Sequence, residues 1–499
     1  MADWTTGRSE AQTLAEAWTR QGGPGGAIVL FDRDGMRETA SGGFAAIEHR
    51  LPFTPDTQNR LASISKHFCA ALLLREGVPL DEPLGRFLPE LPEAVAAVPL
   101  GRALDMTGAL PDMMEALWQQ GVPSTMALTA AEIMTAVRRL PGLNGEPGVE
   151  MAYSNTGWRL AQGILEARTG KSYAQLVGEL AVGLPLHFPG DESEIVPGLA
   201  TGYWHDGQGW RRGRYGLNYS ASGGMTGTTA GLARWASALM ADRLPQAGLL
   251  AQLTAPRRFR DGAESCYRLG LVETRLGAMT VIGHGGSLPG YRNHLLMAPE
   301  RGIGVAVLTN REEDALWPAL RVLAALAGEA LPQDTEVPTG LYASAEGPFW
   351  AEFAAGAISF MGGYEKLVAG EGGSLRSLPA YLPIALRRAA DGALAGSIGG
   401  VERRLLPVPA QTRLDERLIG RWRDARLGTT ITIEADGTAR WPWAGSFTLG
   451  MRLTPLSGGR ALADLAHGPS RHRPCLWLQP DGSLKLASHR ARILHFDRI

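Results

Sequence analysis

Apolar and polar positions alternate along the chain with two different periods. Ala27-Ile28-Val29-Leu30-Phe31 is an unbroken apolar run of strand length, and Asp34-Gly35 beyond it is a tight-turn pair. Residues 25–45 therefore predict a β-hairpin. From Ser63 the spacing becomes helical: Ile64, Phe68, Leu72 and Leu73 share one face, and Gly77 stops the run. Helical patterns broken by Pro and Gly fill residues 78–190. Strand patterns return at Ala278–Ile282, His294–Met297 and Gly304–Leu308, and a helix is expected over about 311–330. One early hairpin, several late strands and helices between them predict an α+β domain: an antiparallel sheet carrying a helical insertion.

The pattern then changes. Leu331-Pro332 to Pro338-Thr339 and Leu406-Pro407-Val408-Pro409 read as linkers. Each precedes a similar opening, Gly340-Leu341-Tyr342-Ala343-Ser344 and Gly420-Arg421-Trp422-Arg423-Asp424. Short β-like runs such as Thr430-Ile431-Thr432-Ile433 follow, with turns at Asp436-Gly437 and Asp481-Gly482. Two small all-β modules of barrel type are expected, and whether they arose by duplication stays open.

Composition narrows the function classes. The 499 residues carry 49 Lys and Arg against 50 Asp and Glu, so the basic surplus expected of a nucleic-acid or membrane-surface binder is missing. The first twenty residues contain no apolar signal core, and no apolar run approaches the length of a bilayer span. Cys69, Cys266 and Cys475 are widely spaced and odd in number, which argues against a disulfide framework and for a reducing, cytoplasmic setting. Gly (64) and Pro (32) are abundant and point to many turns. Only four of the basic residues are Lys: Lys66, Lys171, Lys366 and Lys485.

That scarcity gives weight to Ser63-Ile64-Ser65-Lys66 at the head of the apolar helix. The i,i+3 spacing puts Ser63 and Lys66 on one face, a turn apart. A serine hydroxyl becomes a useful nucleophile when a neighbouring base takes its proton, and a buried Lys can be that base where Arg cannot. A capping serine beside a surface lysine would read the same way. Tyr153-Ser154-Asn155 follows Glu146-Pro147-Gly148; its Tyr can move protons and its Asn amide can orient a carbonyl, although a core Tyr and a turn Asn fit as well. Gly283-His284-Gly285-Gly286-Ser287 ends a strand, with a group that titrates near neutrality among glycines that admit a close backbone; a plain turn is the alternative.

Other signatures fail. Gly170-Lys171-Ser172 lacks the earlier glycine of a P-loop, since position 165 is Leu165. Gly285-Gly286-Ser287-Leu288-Pro289 is not a lipase elbow, and Leu288 breaks a dinucleotide fingerprint. The ten His and three Cys show no zinc spacing.

In this order, the three elements resemble the serine β-lactamase and penicillin-binding protein superfamily, in its class C-like branch. The likeness extends to Leu80-Asp81-Glu82-Pro83-Leu84, Thr107-Gly108-Ala109-Leu110-Pro111-Asp112, Thr169-Gly170-Lys171 and Ser222-Gly223-Gly224-Met225, and covers about residues 20–330. His284-Gly285-Gly286 in place of K-T-G, with Gly285 to Arg292, is most similar to the D-stereospecific aminopeptidases. The resemblance implies a β-lactamase-like α+β catalytic domain (1–332), an antiparallel sheet with helices on both faces and a helical subdomain. Two small antiparallel β-barrels (338–408 and 415–499) would follow.

It also implies roles. Ser63 would be the nucleophile and Lys66 its base; Tyr153 and His284 would relay the proton to the leaving amine. Asn155 would orient the substrate, and Gly286 and Ser287 would line its site, the N–H groups of Ser63 and Ser287 stabilising the oxyanion. The substrate would be a small peptide or an amino-acid amide or ester, with no nucleic acid and no membrane partner, and the implied reaction requires no metal and no organic cofactor. A homodimer is left open. In the D-aminopeptidases a loop of the last barrel reaches the site with an acid for the substrate ammonium. The matching stretch here, about Asp464 to Pro474, offers Asp464 but also Arg471 and Arg473, which would not welcome an amine. A β-lactamase-fold esterase or amidase, or an idle peptide-binding homologue, are the alternative readings.

Overall fold

The computed structural model describes residues 2–379, 381–410, 412–445 and 447–499. It divides into two compact units. The first comprises Met1–Leu80, Trp158–Arg257 and Cys266–Pro332; the second comprises Asp81–Gly157, Arg258–Ser265 and Gln333–Ile499.

The first unit is built on a six-stranded antiparallel sheet. Its strands are β1 (Gly26–Asp32), β2 (Gly35–Gly42), β3 (Val272–Leu276), β4 (Met279–Leu288), β5 (Tyr291–Ala298) and β6 (Ile303–Thr309), in the spatial order β3-β4-β5-β6-β1-β2. The early hairpin thus joins the late strands through the β1–β6 pairing, Gly26 opposite Thr309 and Asp32 opposite Ile303. Ala27 to Phe31 are all fully buried. Successive side chains of a strand point to opposite faces, so both faces of β1 are covered. The N-terminal helix Trp4–Gln21 and the helix Leu316–Ala327 pack against the sheet and each other, and the helix Thr229–Met240 packs against β1, β2 and β6. Each large aliphatic side chain buried this way contributes about 1.5–3 kcal/mol. The N-terminal helix is closed by Asp3, which accepts from Thr6 N, and by Gly22 in the left-handed conformation at φ 66°.

Two boundaries differ from the sequence expectation. β4 runs on through His284, Gly285, Gly286 and Ser287, so the H-G-G motif lies inside a strand and not at its end. Gly283 and Gly286 allow this: a Cβ at Gly283 would sit 1.9 Å from Leu295 O, and one at Gly286 2.1 Å from Leu61 O. The helix bearing Lys66 spans Lys66–Arg75, and a 3₁₀ turn, Ala62–Ser65, leads into it.

The second unit contains both β modules. Eight strands between Gly340 and Pro407 form a closed antiparallel barrel around Trp350, Phe353, Ile358, Phe360 and Leu386. Nine strands between Gly420 and Arg498 form a second, nearly closed barrel around Trp422, Ile431, Trp441, Leu476 and Phe496. The two similar openings therefore lead into modules of different strand number. Asp81–Gly157 groups with these barrels. It is tied to them by Trp441 Nε1, which donates to Gln119 O at 2.8 Å, and by Gly121, whose φ of 83° brings it against Pro442 O.

Candidate active site

Ser63 is presented by a bend with a stored strain. The strand Gln58–Arg60 ends at Leu61, whose N–H donates to Met225 O. Ala62 follows at φ 51°, a left-handed conformation that costs a non-glycine residue on the order of 1–3 kcal/mol. Ser65 Oγ fixes the turn by donating to Ala62 O at 2.6 Å and accepting from Met225 N at 3.1 Å. Lys66 is fully buried, with its Nζ 3.0 Å from Ser63 Oγ and 2.5 Å from Ser222 O. Gly270, at φ 75°, packs beneath: a Cβ there would lie 2.6 Å from His67 N.

β4 lies alongside this turn. Gly286 abuts Leu61 O and Ala62 Cβ, and Ser287 is exposed one residue further on. His284 is buried and holds both ring nitrogens in hydrogen bonds, Nδ1 to Gly285 O at 2.5 Å and Nε2 to the Tyr267 hydroxyl at 2.8 Å. A carbonyl only accepts, so the partners put the ring proton on Nδ1, and Nε2 accepts from Tyr267. Burial above all pushes the imidazole well below its ordinary value and keeps it neutral. Tyr267 is the residue that the sequence reading missed. It is completely buried, and no local pattern marks it; the strand pairing across Gly283 and Val272 is what brings it near. Cys69 is a packed thiol that burial pushes up to about 12, inert as a nucleophile.

Tyr153 and Asn155 belong to the second unit. Asp112 organises their loop. Its Oδ2 accepts from both Asn155 N (2.7 Å) and Asn155 Nδ2 (2.9 Å), and its Oδ1 caps the helix Met113–Gln119 through Met114 N and Glu115 N. The bond to Nδ2 sets which end of the Asn155 amide is the acceptor oxygen. Thr156 ties the same loop to Pro111 O and Met113 N. Tyr153 is buried, its ring 5.2 Å from that of Tyr381 in an edge arrangement.

Asp464 is engaged elsewhere. Arg471 grips both of its oxygens, at 2.7 and 2.5 Å, across the hairpin Leu465–His467/Ser470–His472. The same hydrogen bonding, ahead of charge, holds its carboxyl below the ordinary range. Arg473 pairs with Glu352 at 2.6 Å. The last barrel meets the Tyr153–Asn155 loop through a different segment, the Ser488–Ile493 connection. Arg490 in that connection accepts from Asp112 N at its carbonyl and lays its guanidinium 4.7 Å from the Tyr153 ring centre.

Among the described residues no cluster of His, Cys, Asp and Glu is arranged to hold a metal ion, and no helix is long and apolar enough to cross a membrane.

Comparison with known proteins identifies the family. Residues 11–329 match the Beta-lactamase family, and the chain belongs to it. A D-aminopeptidase of Gluconobacter oxydans (strain 621H) is 30% identical over 352 residues, 68% of this chain and 66% of the relative. A D-aminopeptidase of Brucella canis is 27% identical over 324 residues, 61% of this chain and 60% of the relative. The chain thus spans slightly under two thirds of these relatives' length. Among solved structures, the D-amino acid amidase from Ochrobactrum anthropi SV3 complexed with L-phenylalanine superposes with a TM-score of 0.54 at 26% identity, covering 65% of this chain and 99% of that one. The octameric penicillin-binding protein homologue from Pyrococcus abyssi shares the fold over 98% of this chain and 99% of its own, with a TM-score of 0.57 at 18% identity.

Proposed function

We propose that the protein is a serine hydrolase that releases an N-terminal D-amino acid from small peptides, amides or esters through an acyl-enzyme. The observation that carries this reading is the buried Lys66 amine, 3.0 Å from Ser63 Oγ on a strained turn. An unprotonated amine that donates to Ser222 O keeps its lone pair for the Ser63 hydroxyl. It takes that proton as Oγ attacks the substrate carbonyl. The N–H groups of Ser63 and Ser287 hold the oxyanion, and Asn155 orients the acyl group. Tyr153 and the neutral His284 serve the return of the proton to the leaving amine; water then releases the acid. The D-aminopeptidases and the D-amino acid amidase among the relatives favour a D-configured acyl group. Asp464 has no part in this reading while Arg471 holds both of its oxygens.

Mass spectrometry after incubation with a D-alanyl ester tests it. An alanyl adduct on the peptide containing Ser63, absent from Ser63→Ala and nearly absent from Lys66→Arg, is the expected result. A fully active Lys66→Arg enzyme would rule out the base, and turnover of L-alanyl but not D-alanyl anilide would rule out the stereochemistry. Cleavage of short-chain esters with D-alanine anilide untouched would favour an esterase.

A further inference from the structure

The Ser488–Ile493 connection is built onto the segment that carries Tyr153 and Asn155. The Ser488 hydroxyl contacts Glu115 Oε2 at 2.5 Å, and Gln119 Nε2 donates to Ser488 Oγ and Ala491 O. The Arg490 carbonyl accepts from Asp112 N and Asn144 Nδ2, both at 2.8 Å, and its N–H donates to Glu115 at 3.3 Å. Its backbone is therefore held by three hydrogen bonds.

The Arg490 side chain is unlike its neighbour's. Arg492 is 10% exposed and forks onto both oxygens of Glu150, at 2.7 and 2.9 Å. Arg490 is 24% exposed, and its one ion pair among the described residues is a long one, 3.7 Å from Nε to Glu115 Oε1. Its guanidinium rests against two rings, 4.7 Å from the centre of Tyr153 and 5.2 Å from that of Tyr381. The Tyr381 hydroxyl takes one hydrogen bond from this guanidinium, and its further in-plane N–H groups form the kind of edge that matches a carboxylate. Burial pushes the Glu115 carboxyl up to about 7, so it offsets the Arg490 charge only in part at neutral pH. Asp112, the other acid below, has its oxygens taken by four N–H donors.

We propose that Arg490 binds a carboxylate of the substrate beside Tyr153 and Asn155, so that the preferred substrates are short peptides bearing a free acid rather than neutral amides. This rests on the reading above that Tyr153 and Asn155 face the substrate. The carboxylate has two possible sources, the C-terminus of a dipeptide's leaving residue or an acidic side chain on the acyl residue.

The test is titration calorimetry with the full-length Ser63→Ala chain, which needs no turnover. D-alanyl-glycine is compared with D-alanyl-glycinamide, and D-glutamyl anilide with D-glutaminyl anilide. The acid of at least one pair should bind on the order of tenfold more tightly than its amide, the worth of one charge-assisted bond. The responding pair identifies the source. Adding Arg490→Gln should erase the difference, and Arg490→Lys should keep part of it. Equal affinity within both pairs, no binding of any of the four, or a difference that survives in folded Arg490→Gln overturns the proposal. If Arg490 only braced the barrel, the starting protein would show no acid-over-amide preference, and this comparison holds even if the Arg490 variants do not fold. A clear preference without any acyl adduct in the wild-type enzyme would leave Arg490 as an acid-binding residue and defeat the hydrolase reading instead.

Discussion

Gly286 lies where β4 meets the turn that presents Ser63, and one methyl group there should separate folding from catalysis. A Cβ at this position would sit 2.1 Å from Leu61 O and 3.3 Å from the Ala62 Cβ, whereas ordinary contact begins near 3.4 Å. Leu61 O is backbone, so no side chain can swing aside. Either β4 or the strained Ala62 turn must withdraw by about 1 Å, and overpacking of this kind costs roughly 1–3 kcal/mol. The large sheet absorbs that loss, because β4 stays paired with β5 from Ile282 to Leu288. The reaction does not absorb it: a misplacement of about 1 Å costs on the order of a hundredfold in rate. Gly286→Ala should therefore keep its circular dichroism spectrum, unfold at modestly lower urea, and lose about a hundredfold in kcat on D-alanine p-nitroanilide. Gly285→Ala on the other face is the control. Its Cβ would meet the His294 ring at 3.0 Å, a looser contact than the 2.1 Å at Gly286, and its loss should be smaller. A Gly286→Ala enzyme with wild-type kcat would show that the turn is not held by β4.

Tyr267→Phe strips the buried Nε2 of His284 of its donor and frees the ring to change tautomer; kcat should fall about tenfold to a hundredfold with KM little changed, and an unaltered kcat would exclude Tyr267 from the proton path. Glu115 has a folded value of about 7 against an ordinary 4.5, so the native state retains a proton that the unfolded chain releases between those values. Stability should fall by up to about 3 kcal/mol as pH rises from 4.5 to 7. Glu115→Gln should remove that slope, so that urea unfolding of the variant gains on wild type between pH 5 and 7.5; a constant difference would refute the shift. Gly163 lies within the helix Thr156–Thr169 with nothing within 4 Å of an added Cβ, so Gly163→Ala should stabilise by about 0.5–1 kcal/mol and leave turnover unchanged.

What could be read from the sequence was local. Ser63 and Lys66 stand one helical turn apart, and i,i+3 spacing is enough to bring their side chains together. The β1 run and the Asp34-Gly35 turn are likewise set by neighbours in the chain. Tyr267 and Arg490 were invisible because their partners are fixed by sheet pairing and barrel closure, which no short window contains. The arginines of the Asp464–Pro474 stretch show the same limit. By charge alone they would repel an amine, yet the fold gives Arg471 to Asp464 and Arg473 to Glu352, the latter pair 121 residues apart. The extent of β4 depended on glycine contacts with Leu61 and Leu295 that are distant in sequence.

The fastening of Asn144 to Arg490 spans 346 residues of chain. A ribosome adding about 5–20 residues per second needs roughly 17–70 s to cover that distance. For nearly all of that interval the nascent polypeptide holds Ser63, Lys66 and Tyr153 but lacks the strap that seats the last of them. Competence then waits for residue 490, and a chain cut ahead of Ser488 should keep Ser63, Lys66 and Tyr153 and show little activity.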